Sequence, residues 1–379
     1  MQIHTLQPTS LPILSFAKSV ATDLVRGPGK IGTHRAHLDA AIEWLQRSHD
    51  KGEDGGVSYG YSVYGGWRPP YRETTGYIAE TFFDLSALLG RPEPRERALH
   101  MIRWLCRVQN ADGSISNPKF ADRGIVFDTG MVLHGLVRAY QETHDEQIQR
   151  AAERAGEWLV RVADPEGRWT RNTHNGIPHV YNSRTAWALL RLHQLFPQPE
   201  RLLVARANLD WAVSQEHDGW FEQNAFETGA APFTHNIAYA IRGLFESALL
   251  IEDAIYLNTA TRAADAVLTH VRGDGFIPGQ IDPQGRPAAD YCCLTGNAQL
   301  SIIWSKLFLR TGHAKYKRAA IDAVKYVMSC QDIDTTDLDI RGAIKGSQPI
   351  WGRYSTLTYP NWPTKFFIDA MLLTREWIK

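Results

Sequence analysis

The 379 residues carry 41 Lys and Arg against 41 Asp and Glu, a formal net charge of zero with His neutral. Nucleic acid is thereby excluded as the main partner, because phosphate binding needs a basic surplus. No run approaches the roughly eighteen apolar residues of a membrane span, while 44% hydrophobic content suffices for one large core.

Residues 1–33 read as a lead-in segment, with a short helix over 15–25 that Gly27-Pro28-Gly29 ends. The segment lacks a basic stretch followed by a long apolar run. The four Cys (Cys106, Cys292, Cys293 and Cys330) form no CxxC pair or disulfide framework. A cytoplasmic protein is the expectation.

From His34 to the end, residues 34–379 read as one domain in which a pattern recurs six times. An amphipathic outer helix leads to a Gly-centred turn, then a polar loop, then an inner helix. The outer helices are expected at 37–48, 98–108, 149–162, 202–215, 254–271 and 315–330. In the third of these, Ile148, Ala151, Ala152, Ala155, Trp158 and Leu159 share one face. Turns such as Asp112-Gly113-Ser114-Ile115 and Asp218-Gly219-Trp220-Phe221 follow, and Trp169, Trp220 and Phe276 anchor them. Inner helices open near 74, 129, 183, 235, 295 and 361, a period suited to a helical hairpin with a functional loop. No series of period-two strands appears, though short β pieces at the turns fit.

Six hairpins in series can bury their apolar faces by closing into a ring, an all-α (α/α)6 toroid. The inner helices then enter from one end. Their free N–H groups and positive dipole ends gather there, where a carboxylate-bearing ligand would be favoured.

The repeated hairpins resemble the α/α toroids shared by six-hairpin glycosidases, toroid polysaccharide lyases, sugar epimerases, terpenoid cyclases and protein prenyltransferases. More closely, Glu73-Thr74-Thr75-Gly76-Tyr77-Ile78, Phe127-Asp128-Thr129-Gly130, Tyr291-Cys292-Cys293-Leu294-Thr295-Gly296-Asn297 and Pro360-Asn361-Trp362 resemble a bacterial toroid family associated with polysaccharide biosynthesis. The resemblance is architectural and leaves the reaction open. Prenyltransferases are similar in using an Asp-x-Cys pair and a later His on zinc. Asp290-Tyr291-Cys292 has that spacing, but 354–367 contains no His, so no metal and no cofactor are expected.

The densest polar stretch runs from Asn172 to Trp187. It favours proton abstraction beside a uronic-acid carboxylate, by a lyase or a C5-epimerase. That chemistry needs a cation for the carboxylate, a base and an acid. Arg184 could clamp the carboxylate with Asn182 donating beside it. His174, His179 or Tyr181 could serve as base or acid, and His235-Asn236 at the next mouth could complete the set. The alternative is glycoside hydrolysis by paired carboxylates, Glu73 and Asp128, with Glu227 and Asp290 in later loops. A third reading is a glycan-binding toroid without chemistry. Trp67, in the aromatic-rich stretch 59–71, and Tyr77, Asn297, Asn361 and Trp362 at the other mouths are candidate sugar contacts. Simpler roles stand beside these: Asp128, Asn182, Thr234 and Asn361 could cap helices, and Arg184 could pair with a neighbouring helix. The expected partner is an acidic oligo- or polysaccharide. No motif speaks to oligomeric state.

Overall fold

The computed structural model describes residues 23, 29, 31–117 and 123–378. The helix expected over 15–25 lies outside the described residues apart from Asp23.

Twelve long helices alternate between two concentric rings among the described residues. The outer set is α1 (His34–Asp50), α3 (Pro92–Val108), α5 (Glu146–Val162), α7 (Pro199–Ser214), α9 (Ala254–Leu268) and α11 (Ala314–Ser329). The inner set is α2 (Arg72–Leu89), α4 (Val126–Thr143), α6 (Ser183–Leu195), α8 (Thr234–Ile251), α10 (Leu294–Thr311) and α12 (Asn361–Thr374). Each inner helix packs on the next, and α12 returns to α2 and to α1, closing the ring. No helix among the described residues is long and apolar enough to cross a membrane.

The inner-to-outer links are tight for local reasons. Helices α2, α4, α8 and α10 each end on a left-handed residue, Gly90, His144, Glu252 and Gly312, whose N–H bonds back to a carbonyl of the last turn. The next helix starts at once. Asp145 accepts from the backbone of Gln147 and Ile148, Asp253 from Ile255 and Tyr256, and Pro92 and Pro199 open their helices directly. Links in the other direction are long, and all reach the same end of the ring.

The glycines inside the inner helices have a packing reason. A Cβ on Gly135 of α4 would lie 2.2 Å from the Gly76 carbonyl oxygen of α2, and one on Gly76 would lie 2.5 Å from Val132 Cα. The two backbones touch, and neither can yield as a flexible side chain would. Gly135→Ala is therefore expected to lower stability by about 1–3 kcal/mol. A reduced thermal midpoint, with the helical spectrum retained below it, is the measurement that checks this.

Short β pieces occur at the loop end, as expected. β1 (Gly60–Ser62) pairs with β2 (Gly66–Trp67) and with β7 (Thr358–Pro360), joining the first loop to the last. β3 (Glu216–His217) and β4 (Trp220–Phe221) flank Asp218-Gly219, and β5 (Cys292–Cys293) pairs with β6 (Ser347–Gln348). Asp23 is tied to this end: it is ion-paired with Lys345 and accepts the Ile350 N–H at 2.7 Å. Trp169 is buried and donates from Nε1 to Leu159 O at 3.0 Å, anchoring its turn.

Candidate active site

The inner ring is lined in layers. The second or third residues of four inner helices, Glu73, Asp128, His235, Asn236 and Trp362, form the top layer. Helix α6 reaches this layer differently. A 3-10 turn at Val180–Asn182 feeds straight into Ser183, so the helical rise begins about a turn early and Tyr181 takes the equivalent place. These residues line one cavity of about 540 Å³. Tyr59, Arg68, Tyr71, Asn117, Phe226 and Tyr354 add its walls from the loops.

One turn down lie the sixth residues of α2, α4, α8, α10 and α12: Tyr77, Met131, Tyr239, Gln299 and Phe366. Arg184 sits against the lower side of this layer. It is 2% exposed, with its guanidinium carbon 4.9 Å from the Tyr239 ring centroid, 5.6 Å from Phe366 and 5.9 Å from Tyr77. Its Nε lies 3.2 Å from Met131 Sδ, and its Nη1 has no hydrogen-bond partner. Tyr77 and Tyr239 form the cavity floor above it. From this level downward the inner helices carry charged pairs. Arg191 pairs with Glu80 at 2.6 Å, Lys306 with Glu246 at 2.9 Å and Lys365 with Asp369 at 2.5 Å. Burial is the largest single influence on the Glu80 carboxyl and would raise it, but Arg191, His134 and Lys365 together hold the group well below the usual carboxylate range.

Glu73 and Asp128 dominate the electrostatics of the cavity. Burial raises Glu73 to about 7, against contacts from Tyr71, Arg184 and Tyr77 that favour its ionised form. Asp128 is 4% exposed, and burial followed by the Glu73 charge pushes it well above the ordinary carboxylate range. Two like groups in one poorly hydrated space do not both ionise, so near neutrality the pair retains a proton. Tyr71 Oη donates to Glu73 Oε2 at 2.7 Å and accepts from Asn117 Nδ2 at 3.0 Å. Asp128 Oδ2 is buried without a partner. Asp128 is not the N-cap of α4, which is Ile125.

His235 is held neutral, its pKa lowered to about 3 by burial and then by Arg184. Gln299 Nε2 donates to its Nδ1 at 2.9 Å, which leaves the ring proton on Nε2. Asn236 is 1% exposed, and neither end of its amide has a partner. Both ends of this amide are therefore left for a water or another polar molecule in the cavity to satisfy.

No protein-family model and no curated protein matches the chain. Solved structures do. Unsaturated glucuronyl hydrolase from Bacillus sp. GL1 is 16% identical over 90% of this chain and 96% of its own, with a TM-score of 0.71. Cellobiose 2-epimerase from Bacillus thermoamylovorans is 12% identical over 96% of this chain and 100% of its own, with a TM-score of 0.69. A D-mannose isomerase is 13% identical over 90% and 97%, also with a TM-score of 0.69. The chain is a six-hairpin α/α toroid.

The toroid gathers Glu73, Tyr77, Asp128, His174, Tyr181, His235, Asn236 and Trp362 around one cavity. It places the other sequence candidates elsewhere. Arg184 lies beneath the floor and makes neither a carboxylate clamp nor an ion pair with a neighbouring helix, because the early turn at Val180 sets it one layer deeper than its distance from the loop suggests. His179 sets both ring nitrogens against backbone carbonyls, Nδ1 2.9 Å from Ala225 O and Nε2 2.8 Å from His174 O; the neutral ring donates to one of them, and it stacks on Tyr181. Trp67 stacks on Trp44 and donates to Asp339. Asn297 bonds Gly275 O and Cys292 Sγ, while Asn361 donates to Ser58 O and Thr74 Oγ1, so each fastens a loop. Asn182 is buried outside the cavity, and Asp290 is exposed. Neither Asn182, Thr234 nor Asn361 caps its helix through its side chain.

The toroid also recruits residues the sequence did not single out: Tyr71, Asn117, Phe226, Tyr239 and Tyr354. Tyr71 stands two positions before Glu73, a proximity that could have drawn notice. Tyr354 reaches the cavity from the last loop and accepts from Trp362 Nε1 at 2.8 Å, a pairing no local pattern announces.

Proposed function

We propose that the chain is a carbohydrate-active enzyme that hydrolyses a glycosidic bond with Asp128 as general acid and Glu73 as general base. The observation that carries this reading is the pair itself: two carboxyl groups on one aromatic-walled cavity, with their titration pushed upward by burial. The structural neighbours support the substrate class. Each is named for a sugar or sugar acid, and the Bacillus sp. GL1 enzyme is described as responsible for degrading glycosaminoglycan.

In the proposed reaction Asp128 passes its proton to the glycosidic oxygen as the bond to the anomeric carbon breaks. Water attacks that carbon and yields a proton to Glu73. The unpartnered Oδ2 of Asp128 is the donating atom. The Tyr71 hydroxyl keeps Glu73 receptive by favouring its ionised form. Tyr181, Phe226 and Trp362 offer faces for a sugar ring, and His235 Nε2–H and the Asn236 amide offer polar contacts to its hydroxyls. An acidic sugar would meet Arg68, the cation among the described lining residues.

Proton abstraction beside a uronate, the chemistry favoured by the sequence, has less support. Arg184 is sealed from the cavity, and a His235 whose Nδ1 accepts from Gln299 carries its proton on Nε2 and is a donor rather than a base. The deciding experiment incubates the protein with neutral and acidic oligosaccharides and reads three products. New reducing ends that vanish in Asp128→Asn support hydrolysis. An ultraviolet-absorbing unsaturated uronide, or exchange of a sugar C–H with deuterated water without new reducing ends, overturns it.

Asn236→Ala is expected to raise KM by roughly 10- to 100-fold, the loss of one or two hydrogen bonds to bound substrate. Its thermal midpoint should match or exceed the parent's, since the unliganded protein loses only an unsatisfied buried amide. A lowered midpoint with unchanged KM would mark the residue as structural.

A further inference from the structure

Glu73 and Asp128 are chemically alike, yet hydrolysis needs one to hold a proton and the other to accept one. We infer that Tyr71 and Asn117 assign these roles, acting as positioning residues that fix where the proton of the pair resides. The inference rests on the two-carboxylate reading above and goes beyond it by naming what breaks the symmetry.

Hydrogen-bond direction breaks the symmetry. An amide nitrogen only donates, so at 3.0 Å Asn117 Nδ2 places a hydrogen on the Tyr71 oxygen. The phenol's own hydrogen is then directed to Glu73 Oε2 at 2.7 Å. Asn117 also bonds the Asp128 carboxyl, and because Oδ2 has no partner that contact falls on Oδ1; it favours ionised Asp128, but burial and the Glu73 charge outweigh it. Glu73 therefore receives a phenol hydrogen whose direction is set by Asn117, and ionises more readily. Asp128 keeps its free oxygen, Oδ2, as the seat of the remaining proton. With the amide turned round, the phenol would instead be free to donate to Asn117 and leave Glu73 unsupported.

The other groups facing the pair each act on one carboxyl or the other, and among the described residues none bridges the two. Arg184 favours ionisation of Glu73 from below, and Arg72 favours that of Asp128 from the side. Tyr77 adds a second hydroxyl contact to Glu73, while the phenols of Tyr59, Tyr181 and Tyr239 face it with their own titration raised by burial and remain neutral. Only Tyr71 and Asn117 among the described residues form a hydrogen-bonded chain that reaches both carboxyl groups.

The test is a titration of the full-length protein without substrate. Glu and Asp are carbon-13 labelled at the side-chain carboxyl and followed by NMR, with Glu73→Gln and Asp128→Asn assigning the two signals. In the parent, Glu73 ionises before Asp128. Tyr71→Phe keeps the ring and is expected to move the Glu73 midpoint upward by roughly one to two pH units, the worth of one hydrogen bond to a charged group. Asn117→Ala, which leaves both ring and hydroxyl in place, moves it in the same direction by a smaller step and supplies the answer if Tyr71→Phe does not fold. A Glu73 midpoint unmoved in a folded variant overturns the inference, as does a parent in which Asp128 ionises first. Failure of the hydrolysis reading is separately visible, because it is decided by the products of turnover and not by this titration.

Discussion

Asp128→Asn loses turnover by roughly 10²- to 10⁴-fold, the usual range for removing a general acid, and yields a protein that melts higher than its parent at neutral pH. Both effects follow from one property. The carboxyl is buried and its titration lies well above the ordinary value of 3.8. In the unfolded chain Asp128 gives up its proton as pH rises through that ordinary value, whereas the folded protein keeps it. Over that window the folded state binds more protons than the unfolded one, so stability falls as pH rises. Asparagine fills the same space without a proton to lose, and the variant escapes the decline. Thermal unfolding of parent and variant between pH 4 and 8 should show midpoints that agree at the acid end and diverge toward the alkaline end. Curves that stay parallel would mean that Asp128 is not buried as a neutral acid. Full turnover in the variant would remove it from the chemistry.

Glu73→Gln is expected to be nearly as damaging to turnover, with a different pH signature. Hydrolysis requires Glu73 ionised and Asp128 protonated, so the parent's kcat/KM should rise through an acid limb near 7, where Glu73 titrates, and fall on an alkaline limb set by Asp128. Gln cannot accept a proton, and what activity survives should lack the acid limb. The stability effect has a stated window. Glu73's contribution is full below its ordinary 4.5 and is lost as pH rises through about 7. The advantage of Glu73→Gln in thermal midpoint should therefore open between those values and stay level above them. A parent whose activity is flat through pH 7 would show that Glu73 is not the base.

Much of the ring could be read from the chain because its signals are local. Inner helices expected near 74, 129, 235, 295 and 361 begin at Arg72, Val126, Thr234, Leu294 and Asn361. Gly-centred turns and first-turn polar residues mark those starts whatever the tertiary surroundings. Glu73, Asp128 and His235 were legible for the same reason, since each sits within three residues of a helix start on the side that faces the axis. Arg184 shows where such reading stops. Its distance from the loop is right, but the extra turn at Val180–Asn182 shifts the register by about one layer. Tyr181 is thereby raised to the cavity, and Arg184 is lowered beneath it. The Tyr71–Asn117 bridge was illegible on other grounds. Its two residues lie on different loops, and only the packing of α2 on α4 brings them within 3.0 Å. His179 looked like a catalytic base in sequence, but both of its ring nitrogens face its neighbours' carbonyls.

The rings of Tyr77, Tyr239 and Phe366 meet across the axis at centroid distances of 5.4 to 5.9 Å, with the Arg184 guanidinium against them and the charged pairs of the inner helices below. This stopper makes the cavity a cul-de-sac. Among the described residues this floor closes the cavity toward the far side of the ring, so a bound molecule leaves by the loop end through which it entered. Entry and exit therefore share one mouth, and a molecule still bound at the floor occupies the place the next would take.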